Sequence, residues 1–430
     1  MSVPPFRFVH ATCLSLDEPL CGLSPALQGE PRQFAEDATL IAWERILDLC
    51  IDSHVECLLL TGNCFAQGSG SLRARVALER GLRRLDEAGV DVFIVPGPQD
   101  PLSAWKRDLK LPGRVVVLGD ETAAPRFITR DGEVLASVRV IASADSDEAD
   151  WSAQGPAAFD PVKAPFHIGL VPAGTPVVWQ QHHPETVDRP DVSRAAVTLI
   201  RAAMESGCDY LALGAGHRAT HAFTGGVAHD PGPVQSLNAR LTGPCGVSVV
   251  EVLSSGETRI APSTVAPVRW ESLGAELTEE TTWETLVEQM SLTLLDREPD
   301  SDDELWIIRW KLRGHGPLIK ELQSQRTQRE LADLIEVEVA GHHETRRVHQ
   351  FLREPHWDLL RAAEEDSLTR TYIDIVDEAG AATADAVRGE LLNLDWGTGT
   401  QRRVLAHLLD ETSTEELLAD AKSAGLVWLT

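Results

Sequence analysis

The sequence predicts an α/β fold, and three observations lead to that prediction. From the N-terminus to about residue 250, short apolar runs alternate with amphipathic stretches, which is the pattern of repeated βαβ units. Several of these runs end in a glycine-bearing turn. Of the 430 residues, 43% are hydrophobic and 24% are charged, so the chain has the composition of a globular protein with a sizeable core.

The elements of this first part follow one another in order. Six apolar runs predict strands at 6–11 (FRFVHA), 56–62 (ECLLLTG), 90–97 (VDVFIVPG), 113–120 (GRVVVLGD), 167–174 (HIGLVPAG) and 209–216 (DYLALGAG). Apolar residues at helical spacing predict helices at 34–53, 71–89 and 191–207. The last two end at Gly89 and Gly207, as glycine-terminated helices do. Ligands of such folds bind beyond the carboxyl ends of the strands, so a site is expected in those turns.

After residue 250 the pattern changes. Segment 246–262 predicts a hairpin that turns at Ser255 and Gly256, and the chain then becomes more acidic. The next elements are predicted as a helix at 282–295, a strand at 304–314, a helix at 317–335 and a strand at 336–341. Short helices, such as 357–365, fill the rest and bury little by themselves. We therefore expect a first domain over 1–270, a small α+β domain over 271–350 and a helical region over 351–430 that docks on a partner.

Charge and cysteine content exclude several classes of protein. With 39 Lys and Arg against 66 Asp and Glu, the formal net charge is −27, which argues against a surface that attracts nucleic acid as a whole. The seven cysteines are odd in number and form no C-x-x-C pair, which is typical of reduced thiols in a cytoplasmic protein. No run of about 18 uncharged apolar residues is present, so a membrane span is not expected.

Five segments carry a resemblance to a known family. They are VHATCLSLDEPLCGL (9–23), LLLTGNCFA (58–66), VFIVPGPQDP (92–101), DYLALGAGHR (209–218) and HDPGPVQS (229–236). In order and spacing they resemble the motifs of calcineurin-like metallophosphoesterases, most of all the DNA-repair exonuclease branch of the bacterial SbcD nuclease and its YhaO-like relatives. The resemblance covers about residues 6–270. It implies a β-sandwich flanked by helices, followed by a small α+β capping domain.

The resemblance also implies a two-metal site, but this chain departs from it at most ligand positions. In the family, two divalent metals held by Asp, His and Asn at strand ends activate a hydroxide that attacks a phosphodiester. Here the corresponding positions hold Cys13, Ser15, Asn63, Pro98, Gln99, Pro172 and Ala215, and His217 is the retained ligand. Proline and alanine side chains offer no donor atom, and a neutral amide cannot bridge two metals as a carboxylate does. The sequence therefore predicts an intact scaffold without confident catalytic residues.

Three hypotheses about function follow. In the first, the chain is a non-catalytic subunit of a DNA-repair complex. The resemblance then implies an SbcC-like coiled-coil ATPase as partner, with DNA contacted only weakly or indirectly and no cofactor bound. A homodimer is compatible with this hypothesis. In the second, the chain is an active phosphoesterase that uses Mn, Mg or Zn at a rearranged site, for which nearby candidates are Asp17, Asp100, His221, His229 and Asp230. In the third, the emptied cleft binds a small ligand or peptide.

Other candidate residues have two interpretations each. Cys13, Cys64 and His217 could form a zinc site or a thiol nucleophile with its base, although two buried thiols fit the pattern better; Asn63 is the other candidate for any metal. The helix at 71–89 presents either a solvated face or a phosphate-contacting strip formed by Arg73, Arg75, Arg80, Arg83 and Arg84. The pairs His182-His183 and His342-His343 are expected to be exposed loop residues.

Overall fold

The computed structural model describes residues 3–24, 27–66, 71–119, 124–141, 158–160, 162–173, 198–203, 205–297, 302–341, 345–353 and 367–393, with single positions 405, 409, 413, 414, 418, 421 and 422. The chain forms two compact units. The first unit comprises Met1–Glu18, Glu36–Ser236 and Pro244–Pro267. The second unit comprises Pro19–Ala35, Leu237–Gly243 and Val268–Thr430.

The first unit contains two six-stranded sheets. The first sheet is built from β1 (Phe6–Ala11), β2 (Cys57–Leu60), β3 (Asp91–Ile94), β4 (Val115–Val117), β11 (Gly246–Val252) and β12 (Thr258–Thr264), in the order β12-β11-β1-β2-β3-β4. Its strands β1 to β4 are parallel, and β11 and β12 form an antiparallel hairpin beside β1. This hairpin turns at Ser255 and Gly256, and its φ of +85° at Gly256 is one that glycine adopts readily.

The second sheet follows a similar plan. It is built from β5 (Arg126–Arg130), β6 (Glu133–Val140), β7 (His167–Val171), β8 (Tyr210–Leu213), β9 (Ala219–Phe223) and β10 (Gly226–Asp230), in the order β5-β6-β7-β8-β10-β9. Its central strands β6, β7, β8 and β10 are parallel, and β5 and β9 are antiparallel edge strands. Parallel strands in both sheets mean that their carboxyl ends lie at one edge of each sheet.

The two sheets pack face to face through an apolar layer. Phe6 and Phe8 of β1 point into this layer, where the Phe6 ring meets Phe166 edge-on at 5.6 Å and the Phe8 ring meets Tyr210 at 5.0 Å. Because strand side chains alternate between faces, the neighbouring Val9 of β1 points to the opposite side of the sheet. Each fully buried aromatic or aliphatic side chain stabilises this layer by about 1.5–3 kcal/mol.

Helices cover the outer faces of both sheets. On the first sheet lie α2 (Ala38–Asp52), α3 (Leu72–Glu87) and α4 (Leu102–Asp108). The α2 and α3 helices approach closely because Trp43 lies against Gly81, and its indole N–H donates to the carbonyl of Ala77 at 3.2 Å. On the second sheet, Leu199 and Ala203 of the helical segment 198–203 pack against β8. The α/β prediction of a sandwich flanked by helices is thereby confirmed.

The second unit is a small α+β body. Its sheet consists of the parallel strands β13 (Val268–Leu277), β14 (Leu305–Gly314) and β15 (Arg346–Arg353), in that order. Its helices are α1 (Glu30–Glu36), α5 (Trp283–Leu295), α6 (Pro317–Glu321), α7 (Gln325–Glu338) and α8 (Ser367–Asn393), and α8 is interrupted at Gly380. The core between sheet and helices includes Ile308, Trp310, Met290, Leu331 and Ile335.

Two helices and one strand differ from the sequence predictions. The helix at 34–53 is two helices, α1 and α2, and the helix at 317–335 is α6 followed by α7. The prediction of a strand at 336–341 was wrong, because this segment continues α7 to Glu338. Its valines alternate as in a strand, but Leu331, Ile335 and Val339 are buried at a spacing of four residues, so burial against the sheet favours a helix.

The remaining expectations concern chemistry and membranes. All seven cysteines are free thiols. Within the described ranges, no helix has both the length and the apolar character that crossing a bilayer requires. The predicted helix at 357–365 and the histidine pairs His182-His183 and His342-His343 lie outside the described residues.

Candidate functional site

The turns after the parallel strands of the first unit converge, as the fold requires. The Cys13 N–H, after β1, donates to the carbonyl of Gly62, after β2, at 3.1 Å. The Ala173 N–H, after β7, donates to the carbonyl of Thr61 at 2.9 Å, and this bond joins the second sheet to the first. Thr12 forms an isolated bridge with Pro233, just beyond β10. The motif turns identified in the sequence therefore meet at one place.

Two glycines allow this convergence. A Cβ atom on Gly214, after β8, would lie 2.1 Å from the carbonyl oxygen of Thr61 and 2.7 Å from the nitrogen of Ala173. Gly62 has a φ of +92°, and a Cβ there would lie 3.0 Å from the backbone of Gly97. Backbone therefore packs directly on backbone at this edge, which only glycine permits.

Asp100 organises the turns after β2 and β3. Its Oδ1 atom accepts hydrogen bonds from the N–H groups of Asn63 and Gly97, each at 2.8 Å. Its Oδ2 atom accepts from the Cys64 N–H at 3.0 Å and from the indole N–H of Trp105 at 3.3 Å. The side chain is fully buried, and burial raises the pKa of Asp100 to about 6 despite these hydrogen bonds. Both oxygens of this carboxylate are thus engaged in holding the turns together.

Cys13 and Asn63 occupy the centre of the site. Both have positive φ angles, 50° and 54°, in the left-handed region that non-glycine residues adopt at a cost. The Oδ1 atom of Asn63 accepts the Gln99 N–H at 3.2 Å, so this amide oxygen also braces a turn. Burial raises the pKa of the Cys13 thiol to about 12 and that of Cys64 well above its ordinary value. Both thiols are therefore protonated at neutral pH, whereas nucleophiles and metal ligands are thiolates.

A second buried carboxylate, Asp230, lies at the end of β10. Its Oδ1 atom accepts the Gly232 N–H at 2.8 Å. Burial raises the pKa of Asp230 to about 7, and the backbone N–H groups of Gly232 and His217 limit this rise. The negative charges of Asp230 and Asp100 in turn raise the pKa of Cys13. Burial thus raises the pKa values of both carboxylates at this edge toward neutrality, while the Cys13 thiol stays protonated.

This environment predicts a pH-dependent effect of Asp230→Asn. Because the folded-state pKa of Asp230 lies above the ordinary 3.8, its protonated form stabilises the fold at acid pH, and that stability is lost as the pH rises through about 7. The variant removes the buried negative charge, so the gain in unfolding free energy should grow from near zero at pH 4 to about 4 kcal/mol at pH 8. Thermal unfolding measured across this range checks the sign.

The matched control is Asp131→Asn, because Asp131 is exposed and lies at a turn with φ 53°, which asparagine tolerates. Its melting temperature should track that of the unmodified protein at every pH. A difference for Asp230→Asn that stays constant between pH 4 and pH 8 would contradict the inferred pKa.

The structure reveals a buried polar network that the sequence analysis missed. His10 of β1 lies between Tyr210 Oη, at 3.0 Å, and Thr61 Oγ1, at 3.1 Å. The His229 ring stands 6.0 Å from that of His10 and reaches Ser248 Oγ at 2.8 Å. Burial lowers the pKa of His229 to about 4 and that of His10 well below its ordinary value, so both rings are neutral. The sequence feature that could have indicated this network is the histidine inside the otherwise apolar run of β1.

The other predicted positions are spread over different environments. Ser15 and Pro172 are buried, Ala215 is half-buried, and Pro98, Gln99 and His217 are exposed. His217, which the resemblance predicts to be a retained ligand, therefore lies at the surface of the turn after β8.

The residues of the rearranged-site hypothesis do not meet at one point. Asp17 accepts a hydrogen bond from the Ser71 hydroxyl at the start of α3. His221 pairs with Ala228 across β9 and β10, one residue out of step with His229, so the two histidines point to opposite faces of the sheet. Across the described residues, no three His, Cys, Asp or Glu side chains are grouped so that they could hold a metal ion.

The arginines of α3 are partly engaged within the protein. Arg73 lies 2.6 Å from Asp37 and 3.4 Å from Asp17, and Arg84 lies 2.5 Å from Asp48. Four of the five arginines, Arg73, Arg80, Arg83 and Arg84, are exposed, and Arg75 is half-buried. The α3 helix therefore presents a solvated face on which some arginines form ion pairs within the protein. Contact of its exposed arginines with phosphate stays a prediction.

Comparison with known proteins finds a similar sequence and similar solved structures. No protein-family model matches the chain. The chain is 26% identical over 279 residues to a protein of Bacillus subtilis strain 168 described as the uncharacterized metallophosphoesterase YhaO. The match covers 63% of this chain and 63% of that relative, so it spans less than two thirds of the relative's length.

Two solved structures are also similar to this chain. The protein TT1561 of Thermus thermophilus is 13% identical with a TM-score of 0.35, and the alignment covers 61% of this chain and 100% of that one. A dimetal phosphatase from Danio rerio is 10% identical with a TM-score of 0.34, over 59% of this chain and 94% of that one.

Proposed function

We propose that this chain is a non-catalytic metallophosphoesterase relative of the SbcD-like branch, in which the two-metal centre has been lost and the scaffold serves as a structural or regulatory subunit. The observation that carries the proposal is the use of the remaining oxygen donors. Both carboxylate oxygens of Asp100 accept hydrogen bonds from backbone and indole N–H groups, and the amide oxygen of Asn63 accepts one from the Gln99 N–H.

These donors do not fit a two-metal centre. Two metals need carboxylate, imidazole or amide donors with free lone pairs directed at a common point. Cys13 is a protonated thiol here, and the Asp230 carboxylate titrates near neutral pH because it is buried. Hydrogen bonds between the turns stabilise this edge, and the carboxylate oxygen of Asp100 and Asp230 that is buried without a hydrogen-bond partner among the described residues is Oδ2 of Asp230. One such oxygen is fewer donors than two metals need. We derive no hydrolytic step for this chain.

Retention of the scaffold points to a role in assembly. The motif series of the chain resembles that of DNA-repair exonucleases, and the resemblance implies an SbcC-like coiled-coil ATPase as partner. A net charge of −27 favours recruitment to DNA through such a protein over direct binding to phosphates. Exposed apolar residues of α8, namely Leu368, Ile375 and Val387, support docking through the C-terminal region.

The loss of the metal centre is tested by metal content and hydrolysis. Protein purified without an affinity metal is dialysed against excess Mn, analysed by inductively coupled plasma mass spectrometry, and assayed on bis-p-nitrophenyl phosphate and linear DNA. We expect substoichiometric metal and equal background rates for the unmodified protein and His217→Ala. One or two equivalents of Mn, with hydrolysis that His217→Ala abolishes, would overturn the proposal.

The partner is tested by co-purification with an SbcC-like ATPase. We expect a complex that is lost when residues 355–430 are deleted, a cut that leaves β15 whole, while the melting temperature of the first unit is unchanged. Failure of the full chain to form a complex, or a complex that survives the deletion, would remove this part of the proposal and leave the metal result unaffected.

A further inference from the structure

The strand β15 ends the sheet of the second unit and presents a free edge among the described residues. The Arg346 N–H donates to the carbonyl of Glu304, which precedes β14, at 3.2 Å, so Arg346 faces β14. Because the backbone groups of a parallel strand alternate between its two sides, those of Arg347, His349 and Phe351 point away from β14. The register shows no irregularity over the eight paired residues, so this alternation continues along the strand.

A cleft of about 260 Å³ lies along this edge. Residues of β15 form its floor, and residues of α7 together with Ser24 form the rest of its lining. The lining residues are Ser24, Gln325, Gln328, Arg329, Ala332, His349, Gln350, Phe351 and Leu352. An extended chain placed here would continue the sheet and be covered on both faces.

The floor is held rigidly. His349 lies between Trp310, whose indole N–H donates to Nδ1 at 2.9 Å, and Glu336, whose carboxylate is 2.8 Å from Nε2. Glu336 also forms a two-point ion pair with Arg347, at 2.9 and 3.0 Å. Since α7 and β15 are joined by these bonds, the edge of the strand is fixed in position before any ligand arrives.

The cleft offers several hydrogen-bond donors and one formal positive charge, that of Arg329, and no acidic side chain lines it. Two arginines of β15 are paired with glutamates, Arg346 with Glu30 at 3.4 Å and Arg347 with Glu336. The side-chain nitrogen of Gln350 is buried and has no hydrogen-bond partner among the described residues. Arg329 is exposed and forms no ion pair within the described part of the chain, unlike Arg326 on the same helix, which pairs with Glu330 at 2.9 Å. The strand itself reads RRVHQFLR and contains no acidic residue. A positive groove on a chain of net charge −27 is complementary to an acidic ligand.

We propose that the edge of β15 binds an extended acidic peptide segment of a partner protein by strand addition. The peptide would exchange backbone hydrogen bonds with Arg347, His349 and Phe351, and its carboxylates would meet Arg329 and the end of the strand at Arg353. This proposal stands on the second unit alone and does not depend on the state of the metal centre.

A second copy of this chain is the less suitable occupant. Antiparallel pairing of two β15 strands about a two-fold axis, in full overlap, would place Arg346 opposite Arg353 of the other copy at both ends. Like charges directly opposite each other in an antiparallel pair are destabilising. The cleft therefore favours a ligand of opposite charge.

Fluorescence anisotropy with a fluorescein-labelled peptide of about ten residues that alternates valine and glutamate tests the proposal on the full chain. Two comparison peptides are used. The first carries lysine in place of each glutamate, and the second keeps the glutamates but carries N-methyl groups on the backbone amides along one edge of the extended peptide. We expect saturable binding of the acidic peptide, and binding weaker by about tenfold or more after N-methylation, because the backbone ladder is lost. The lysine peptide should not bind.

Charge-reversal variants locate the site. Arg329→Glu should weaken binding of the acidic peptide by about tenfold, whereas Arg326→Glu, the same change on the same helix outside the cleft, should leave it within about twofold. Absence of saturable binding, or equal binding of the N-methylated or lysine peptide, would overturn the proposal. Self-association in sedimentation experiments that Arg329→Glu relieves would replace the acidic partner with a second copy.

Discussion

Gly214→Ala is expected to leave little folded protein. The new Cβ would lie 2.1 Å from the Thr61 carbonyl oxygen and 2.7 Å from the Ala173 nitrogen. These two backbone atoms are themselves joined by a 2.9 Å hydrogen bond, so neither can move away without breaking the bond between the two sheets. We expect a loss of at least about 3 kcal/mol of unfolding free energy, measured by urea denaturation of whatever soluble protein is obtained.

Gly113→Ala is the matched control for this variant. A Cβ on Gly113 would meet no heavy atom within 4 Å, and its backbone does not require glycine. The control should therefore unfold at the same urea concentration as the unmodified protein. If Gly214→Ala were equally stable, the close approach of the turns after β2, β7 and β8 would be wrong, and with it the geometry of the candidate site.

Asp100→Ala is expected to have the second large effect. It would leave the N–H groups of Asn63, Gly97 and Cys64 and the indole N–H of Trp105 without their acceptor. Each unsatisfied buried donor costs about 1–3 kcal/mol, and removal of a buried carboxylate offsets part of the sum, so we expect a net loss of about 4 kcal/mol. Urea denaturation gives the total, and hydrogen exchange should show faster exchange at the three backbone amides.

Asp100→Asn separates the hydrogen bonds from the volume of the side chain. An amide oxygen can still accept from Asn63 and Gly97, but its NH₂ group would face the donors of Cys64 and Trp105. We therefore expect a stability between those of the unmodified protein and Asp100→Ala. Glu87→Ala, at the exposed end of α3, should be neutral in both measurements. Equal stability of Asp100→Ala and Glu87→Ala would show that Asp100 does not brace the turns.

Local sequence was sufficient for the buried parallel strands β1, β2, β3, β4, β7 and β8 and for the turns that follow them. The apolar run at 6–11 became β1 with those bounds, and the turns that follow β1, β2, β3 and β8 were identified before their convergence was known. This succeeded because a buried parallel strand is a short continuous apolar run, and because the carboxyl ends of such strands share one edge. The replacement of metal-ligand residues at that edge stays a prediction from the resemblance, since it depends on which positions correspond to the ligands of the family.

The tertiary structure alone decided what the retained polar residues do. Asp100 was a candidate metal ligand in the sequence, but its oxygens meet N–H groups from two turns that lie 36 residues apart in the chain. His10 looked like one more residue of an apolar run, and its pairing with Tyr210 joins strands of different sheets. The helical form of 336–338 depended in the same way on burial of α7 against β14 and β15. The periodicity of apolar residues reports only the local preference for helix or strand. Contacts between distant parts of the chain decide which partner a buried polar group has, and they also decide whether a short ambiguous segment is a helix or a strand.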